Sequence, residues 1–313
     1  MTNLNEVLFL TPKNDKIIGN PFLDKGFKVE SIYKNDHYSK RKFALFKLFN
    51  RENKLFAFDE SLIKKYNKII ISECPQISTV ARYIYIYNKQ CDLKVYLWNT
   101  IEKELINEVK KLQNMGVKIF SFDIGDCRKY HLNYNCQPYP YLENIIFDTL
   151  KIEYDCYFCA ADKNRINELI ILKDFFKKQG ISFKFKVLKE KHKNYNFNKE
   201  RIDGIDLIDK AIDYNIILKE TSSAKCIVEL LKMGQEGYTL RTIESLFLSK
   251  KLITNNKNII KEDFYNPNNI FILDNNYNNI KKFLERPYKS ISNEIKEKYL
   301  TRSWVSRFFE VKQ

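Results

Sequence analysis

A chain of 313 residues, 44% hydrophobic with only 8 Gly and 7 Pro, is long enough for two cored domains and too apolar to be disordered. Lys and Arg number 54 against 39 Asp and Glu; the net charge of +15 invites nucleic acid or an anionic membrane surface, although a coding bias toward Lys, Asn, Ile, Tyr and Phe explains it as well. No apolar run reaches the roughly 20 residues of a membrane helix, and the first residues lack a basic head and a cleavage site, so a cytoplasmic protein is expected.

In chain order, strands are predicted at Val7–Leu10, Lys68–Ile71, Leu93–Leu97 and Lys118–Phe122. Helical spacing of apolar residues marks Ser39–Arg51, Ser78–Lys89 and Ile101–Met115 between them. In the last of these Leu105, Val109 and Leu112 share a face, and Gly116 stands where a helix end tolerates positive φ. Ser39–Arg51 carries Lys40, Arg41, Lys42, Lys47 and Arg51 beside Phe43, Phe46 and Phe49. It reads equally as an interfacial helix and as a packed helix with a basic edge. Asn133–Asp155, with Pro138 and Pro140, reads as a linker or a domain-edge excursion.

A second series follows: strand Cys156–Ala160, helix Asn164–Lys178, strand Ser182–Leu188, helix Ile205–Leu218, strand Lys225–Leu230, helix Thr239–Leu248 and strand Lys251–Thr254. The alternation predicts an α/β protein of two Rossmann-like domains. We expect a first domain at 1–150, a second at 151–290, and a C-terminal helix at 291–313 that returns to the first. In that helix Tyr299, Trp304 and Phe308 follow helical spacing, as core residues do.

Seven scattered Cys in a chain without a secretion signal predict free thiols. Cys156 and Cys159 form one C-x-x-C inside an apolar strand; a zinc site needs four ligands, and the three His are not spaced to complete one. No metal and no cofactor are expected.

Ligands of open α/β sheets sit at the carboxyl ends of strands, where helix N-termini offer free N–H groups. After strand Cys156–Ala160 comes Asp162-Lys163-Asn164-Arg165, either a seat for a diphosphate or a solvated helix start capped by Asp162. After strand Lys225–Leu230 comes the segment 234–244, Gly-Gln-Glu-Gly-Tyr-Thr-Leu-Arg-Thr-Ile-Glu. Gly234 and Gly237 let backbone approach a ligand, Thr239 can cap the helix, and Arg241 lies in its first turn. Glu244 stands where a carboxylate can accept the hydroxyls of a ribose, and Glu236 in the loop stands near a transferred sugar. Asp123 and then Glu73, each at a strand end, are candidates for a base toward an acceptor hydroxyl, against the commoner role of such residues as caps or turn carboxylates.

The segment 234–244, with Lys250-Lys251-Leu252-Ile253-Thr254-Asn255-Asn256, Asp263-Phe264-Tyr265 and Asn268-Asn269-Ile270, resembles the donor half of bacterial lipopolysaccharide and capsular polysaccharide glycosyltransferases. Ser121-Phe122-Asp123 with Asp126 and Tyr130, and Asp162, Lys163 and Arg165, are similar to the same group, which has Gly where Ala160 and Ala161 stand. The resemblance covers most of residues 118–275. It implies the GT-B fold, two Rossmann-like domains facing each other across a cleft, and transfer of a sugar from a nucleotide-sugar donor. Donor contacts are then expected from Lys163, Arg165, Gln235, Gly237, Thr239, Arg241 and Glu244, and catalytic roles from Asp123, Glu73 and Glu236. The acceptor it implies is a lipopolysaccharide, lipooligosaccharide or capsule glycan, lipid-linked and met at an anionic membrane surface on the inner face of the cytoplasmic membrane.

Two other classes remain open. A basic nucleic-acid-binding protein would use the charge and the 20 Tyr and 23 Phe, but the cations are dispersed and no RNA-binding motif or zinc finger appears. No nucleic-acid partner is therefore expected. A non-catalytic sugar-nucleotide binder or an epimerase is the other; epimerases of that type carry an N-terminal G-x-G-x-x-G, absent from Phe9–Asp24.

Overall fold

The computed structural model describes residues 4–12, 27–35, 45–46, 48–49, 51–138, 151–191, 193–274 and 277–310. The chain divides into two compact units, Met1–Tyr141 with Tyr299–Gln313, and Leu142–Lys298. Each is built on a parallel sheet that has six strands among the described residues. The α/β class read from the alternation is the class observed.

In the first unit β1 (Val7–Thr11), β2 (Lys28–Ser31), β3 (Lys68–Ser72), β4 (Asp92–Leu97), β5 (Lys118–Ser121) and β6 (Asn133–Tyr134) lie in the order β2-β1-β3-β4-β5-β6. Strands covered on both faces need apolar side chains at every position, and Val7-Leu8-Phe9-Leu10 and Ile69-Ile70-Ile71 supply them. Leu8, Leu10, Ile69, Ile71, Val95 and Leu97 pack with Val80, Ala81 and Ile84 of the helix Ile77–Tyr87 and with Val109 and Leu112 of the helix Lys103–Asn114. The alternate residues Phe9, Tyr96 and Phe120 meet the helix Thr301–Phe309. Ring centroids there are 6.2 Å (Phe9–Trp304), 5.0 Å (Tyr96–Trp304) and 4.6 Å (Phe120–Phe308). Trp304 Nε1 donates to the Cys136 carbonyl at 2.8 Å, and Asn135 Nδ2 donates to the Trp304 carbonyl at 3.0 Å.

The second unit contains β7 (Tyr154–Ala161), β8 (Phe183–Leu188), β9 (Ile205–Ile208), β10 (Ala224–Glu229), β11 (Lys251–Thr254) and β12 (Ile270–Ile272), in the order β12-β11-β10-β7-β8-β9. The chain builds outward from β7 through β8 to β9, then returns to place β10 on the other side of β7. That reversal is the switch point at which a crevice opens at the carboxyl ends of an open sheet. Cys156 and Phe158 face the helix Ile166–Gln179 through Leu169, Leu172 and Phe176. Tyr157 and Cys159 face the opposite side, with Ile217 of the helix Tyr214–Ser222. All seven cysteines are buried free thiols.

Several predicted elements change. Ile205–Leu218 is not one helix: Ile205–Ile208 pairs with β8 in the register Phe185↔Ile205, and a separate helix starts at Tyr214 behind the cap Asp213. A short apolar run has no periodicity that separates strand from helix, and the open edge of β8 decided it. Ile291–Phe309 is two helices, Asn293–Glu297 and Thr301–Phe309, because Leu300 is extended; Tyr299, 5% exposed, lies between them. The ends of the expected linker belong to β6 and β7, and residues 139–150 lie outside the described ones. Most of the expected helix Ser39–Arg51, at 39–44, 47 and 50, lies outside them too. No helix among the described residues is long and apolar enough to cross a membrane.

Candidate functional site

The switch point of the second unit gathers the segments that the sequence singles out. β7 ends at Ala161, and the turn that follows has positive φ at Lys163 (41°) and Asn164 (66°). Ala160 and Ala161 are the extended last residues of β7, so a glycine is not required where they stand. Asp162, 1% exposed, closes the turn: its Oδ1 accepts from the Ile166 N–H at 2.9 Å, the start of the next helix. Its Oδ2 accepts from Tyr195 Oη at 2.9 Å and from Lys193 Nζ. Burial alone would raise its pKa; the Lys193, Tyr195 and Ile166 donors outweigh that and hold it below the usual carboxylate value.

Arg165 is committed to backbone. Nε donates to the Asp162 carbonyl at 3.1 Å, Nη1 to the Leu230 carbonyl at 2.6 Å, and Nη2 to the Ala161 carbonyl. It therefore staples the end of β7 to the residue after β10, across the switch point. Desolvation lowers its pKa, with Asp162 and Glu229 opposing through their charge. One N–H on each of its three nitrogens is thus taken by a carbonyl, which leaves the second N–H of Nη1 and of Nη2 for the expected phosphate contact. Lys163, on the exposed turn, presents its cation at the same strand end.

After β10 the chain passes Gly234 (φ +83°) and enters the helix Leu240–Phe247 behind the cap Thr239, whose hydroxyl accepts from the Arg241 N–H at 3.1 Å. Gln235 Nε2 donates to the Gly237 carbonyl at 2.8 Å and braces the loop. Glu236 Oε2 accepts from Asn258 Nδ2 at 3.4 Å. Arg241 Nη2 reaches back to the Cys159 carbonyl of β7 at 3.3 Å, while Nη1 is bound by Glu244. Burial works against the Arg241 charge, and Glu244 more than offsets it, so the guanidinium is held above its ordinary pKa.

Glu244 differs from its expectation. It is 0% exposed, and its Oε1 accepts from Tyr214 Oη at 2.5 Å as well as from Arg241, which also binds Oε2. Its burial, against Tyr214 and an Arg241 side chain that is itself 17% exposed, closes this carboxylate to a ribose in the conformation seen.

The two first-unit carboxylates both accept from backbone N–H groups. Asp123, 1% exposed, caps the helix Ile124–Tyr130, its Oδ1 accepting from the Asp126 N–H at 2.9 Å. Glu73 Oε2 accepts from the Trp98 and Asn99 N–H groups, both at 2.9 Å, and its Oε1 from Asn99 Nδ2 at 3.1 Å, tying the end of β3 to the end of β4. Both are candidates for a base, and the geometry shows each engaged in the cap or turn role that the sequence also allows them. A cavity of about 340 Å³ in the same unit, lined by residues that include Glu52, Phe56, Arg82 and Tyr83, contains neither of them.

Sequence reading passed over Glu229, Lys193, Tyr195 and Tyr214. Glu229 had a signal, an acidic residue inside the apolar run Cys226-Ile227-Val228-Glu229-Leu230-Leu231; the others had none. No group of three or more His, Cys, Asp or Glu among the described residues could hold a metal ion.

No protein-family model matches the chain, and no curated protein matches its sequence. Solved structures do match. An alpha-glucosyltransferase in complex with UDP-glucose and DNA containing an abasic site aligns over 96% of this chain and 92% of its own, with TM-score 0.57 and 11% identity. An alpha-glucosyltransferase in complex with UDP aligns over the same shares, with TM-score 0.56 and 12% identity. One with UDP and a 13-mer DNA containing a central A:G mismatch covers 97% of this chain and 93% of its own, with TM-score 0.53 and 13% identity. These structures correct the expectation that nucleic acid is excluded as a partner, since proteins of this fold hold DNA. At such identities the likeness is one of fold, and the chain has the two-sheet α/β fold of the GT-B glycosyltransferases.

Proposed function

We propose that the protein transfers a sugar from a nucleoside-diphosphate sugar, its donor held at the β7–β10 switch point of the second unit. The observation that carries this reading is the convergence there of the Lys163 turn, the Gly234–Thr239 loop and the Arg241 guanidinium, which reaches from one side of the crevice to the Cys159 carbonyl on the other. Breaking a sugar–phosphate bond leaves negative charge on the departing nucleotide. Lys163, Arg241 and the N–H groups at the start of the helix Leu240–Phe247 supply fixed positive charge and dipoles for it. Glu236, on the loop, would face the sugar. Glu244 would act through Arg241, and Arg165 would hold the crevice walls together.

For the acceptor, we favour a cell-envelope glycan of the lipopolysaccharide, lipooligosaccharide or capsule kind, on the sequence resemblance at 234–275. Two observations favour a second reading, a DNA acceptor: the net charge of +15 and the DNA in solved structures of this fold.

Thermal-shift titration with UDP, GDP, CMP and dTDP tests the donor. One nucleotide should stabilise the protein, by about 2.7 kcal/mol at a hundredfold excess over Kd. Lys163→Ala, at an exposed turn position, should weaken that shift by more than it lowers the unliganded melting temperature. No shift with any nucleotide overturns the reading. For the acceptor, binding to a duplex oligonucleotide that weakens linearly in log–log against salt would favour DNA; sugar transfer to an envelope glycan with no such binding favours the first.

A further inference from the structure

We infer that Glu229 is a positioning residue, the buried anion that fixes the loop after β10 and the loop after β11 in one shape before a donor arrives. The inference rests on the donor reading given above. Glu229 is the last residue of β10 and 2% exposed. Four donors converge on its carboxylate. Oε1 accepts from the Thr239 N–H at 2.9 Å, Thr239 Oγ1 at 2.7 Å and Thr242 Oγ1 at 3.0 Å, and Oε2 accepts from Thr254 Oγ1 at 2.8 Å.

The direction of these bonds gives the group its role. A carboxylate accepts only, so each threonine hydroxyl that meets it must spend its proton there and turn its lone pairs elsewhere. Thr239 Oγ1 is thereby left to accept from the Arg241 N–H at 3.1 Å, which is the helix cap. Thr254 Oγ1 is left to accept from the Asn256 N–H at 3.1 Å, which begins the next loop. Glu229 thus sets the hydroxyl orientation at the start of the helix Leu240–Phe247 and at the end of β11. The loop Leu230–Tyr238, with Gln235, Glu236 and Gly237, is held by this one side chain at both ends. Bonds to an ionised acceptor are the stronger kind. A threonine-only cluster of the same shape would leave each hydroxyl free to turn.

The test uses the full chain with Glu229→Gln, Thr254→Val and Thr254→Ser, read by amide hydrogen exchange and by affinity for whichever of UDP, GDP, CMP and dTDP stabilises the wild type. Gln keeps the volume but turns one acceptor into a donor facing hydroxyls that already donate. Val keeps the shape of Thr254 without its hydroxyl, and Ser restores the hydroxyl. Exchange in peptides covering 230–240 and 254–258 should quicken about tenfold in the Gln and Val variants, with β7 and β8 unchanged and Ser like wild type. Nucleotide Kd should rise by about the same factor in those two variants. Unchanged local exchange in both, or acceleration spread evenly over the second unit, overturns the inference whatever the nucleotide does. A Glu229→Gln protein that fails to fold leaves the Val and Ser pair to decide it. Wild-type protein that binds none of the nucleotides overturns the donor reading, and the inference with it.

Discussion

The charged side chains at the strand ends differ in burial and in what they bind. Arg165 at the switch point and Glu73 in the first unit each bind main-chain groups on two segments, so each fixes the path of the chain. Lys163 stands on the exposed turn that follows β7. Glu168 illustrates a third condition. Burial pushes its carboxyl above the usual value, while Asn255 Nδ2, 3.3 Å from each oxygen, and the charge of Arg165 pull the other way. A carboxyl whose folded pKa is raised contributes fully below its unfolded value of about 4.3 and loses that contribution as pH climbs through the folded pKa. Glu168→Gln removes the titration. The variant should melt higher than wild type at pH 7, with the difference shrinking toward pH 4; equal melting temperatures across that range would show that the buried charge costs nothing.

At the scale of elements, each helix that opens on the site is started by a side chain that also ties down a neighbouring segment. Asp162 contacts the first turn of Ile166–Gln179 and binds Lys193 and Tyr195 of the chain beyond β8. Thr239 caps Leu240–Phe247 and donates to Glu229. Loss of a helix cap alone costs about 0.5–2 kcal/mol. Thr239→Ala also strips a donor from a buried carboxylate, so its cost should sit at the upper end of that range, with Thr239→Ser near wild type. Urea melts of the two variants compare them directly. If Ala and Ser are equally stable, the hydroxyl does not hold the helix. The same logic explains the misread Ile205–Leu218: its local pattern allows a helix, yet β8 offers an open edge and Asp213 a cap eight residues later.

For the molecule as a whole, two sheets mean two cores, and the chain's last residues serve the first. Trp304 is wholly buried, and Trp98, the other tryptophan, lies in the same unit with its ring stacked 6.1 Å away. Tryptophan fluorescence therefore reports the first unit alone. Trp304→Ala should cost that unit about 3–5 kcal/mol, the usual range for an aromatic core deletion. The unfolding midpoint followed by Trp98 should fall accordingly, while exchange protection in β7 and β10 is kept. A midpoint unchanged within a degree would mean that the terminal helix contributes little to the core.

The sequence alone determined the α/β class, because apolar strands alternating with amphipathic helices admit few other packings. It also marked the segment 234–244 as unusual, since its glycines and polar residues interrupt that rhythm. Tertiary structure decided what each side chain at the strand ends does. Asp123 and Glu73 read from sequence as a base or as cap and turn carboxylates, and stand as a helix cap and a strand-end tie; Glu244, read as a ribose acceptor, lies buried against Arg241; Glu229, read as part of a strand, became a hub. A carboxylate's role depends on which donors reach it, and those donors come from strands far apart in sequence: Thr254 to Glu229, Tyr214 to Glu244 and Trp98 to Glu73. Local patterning carries the fold, and only the assembled sheet brings those donors together.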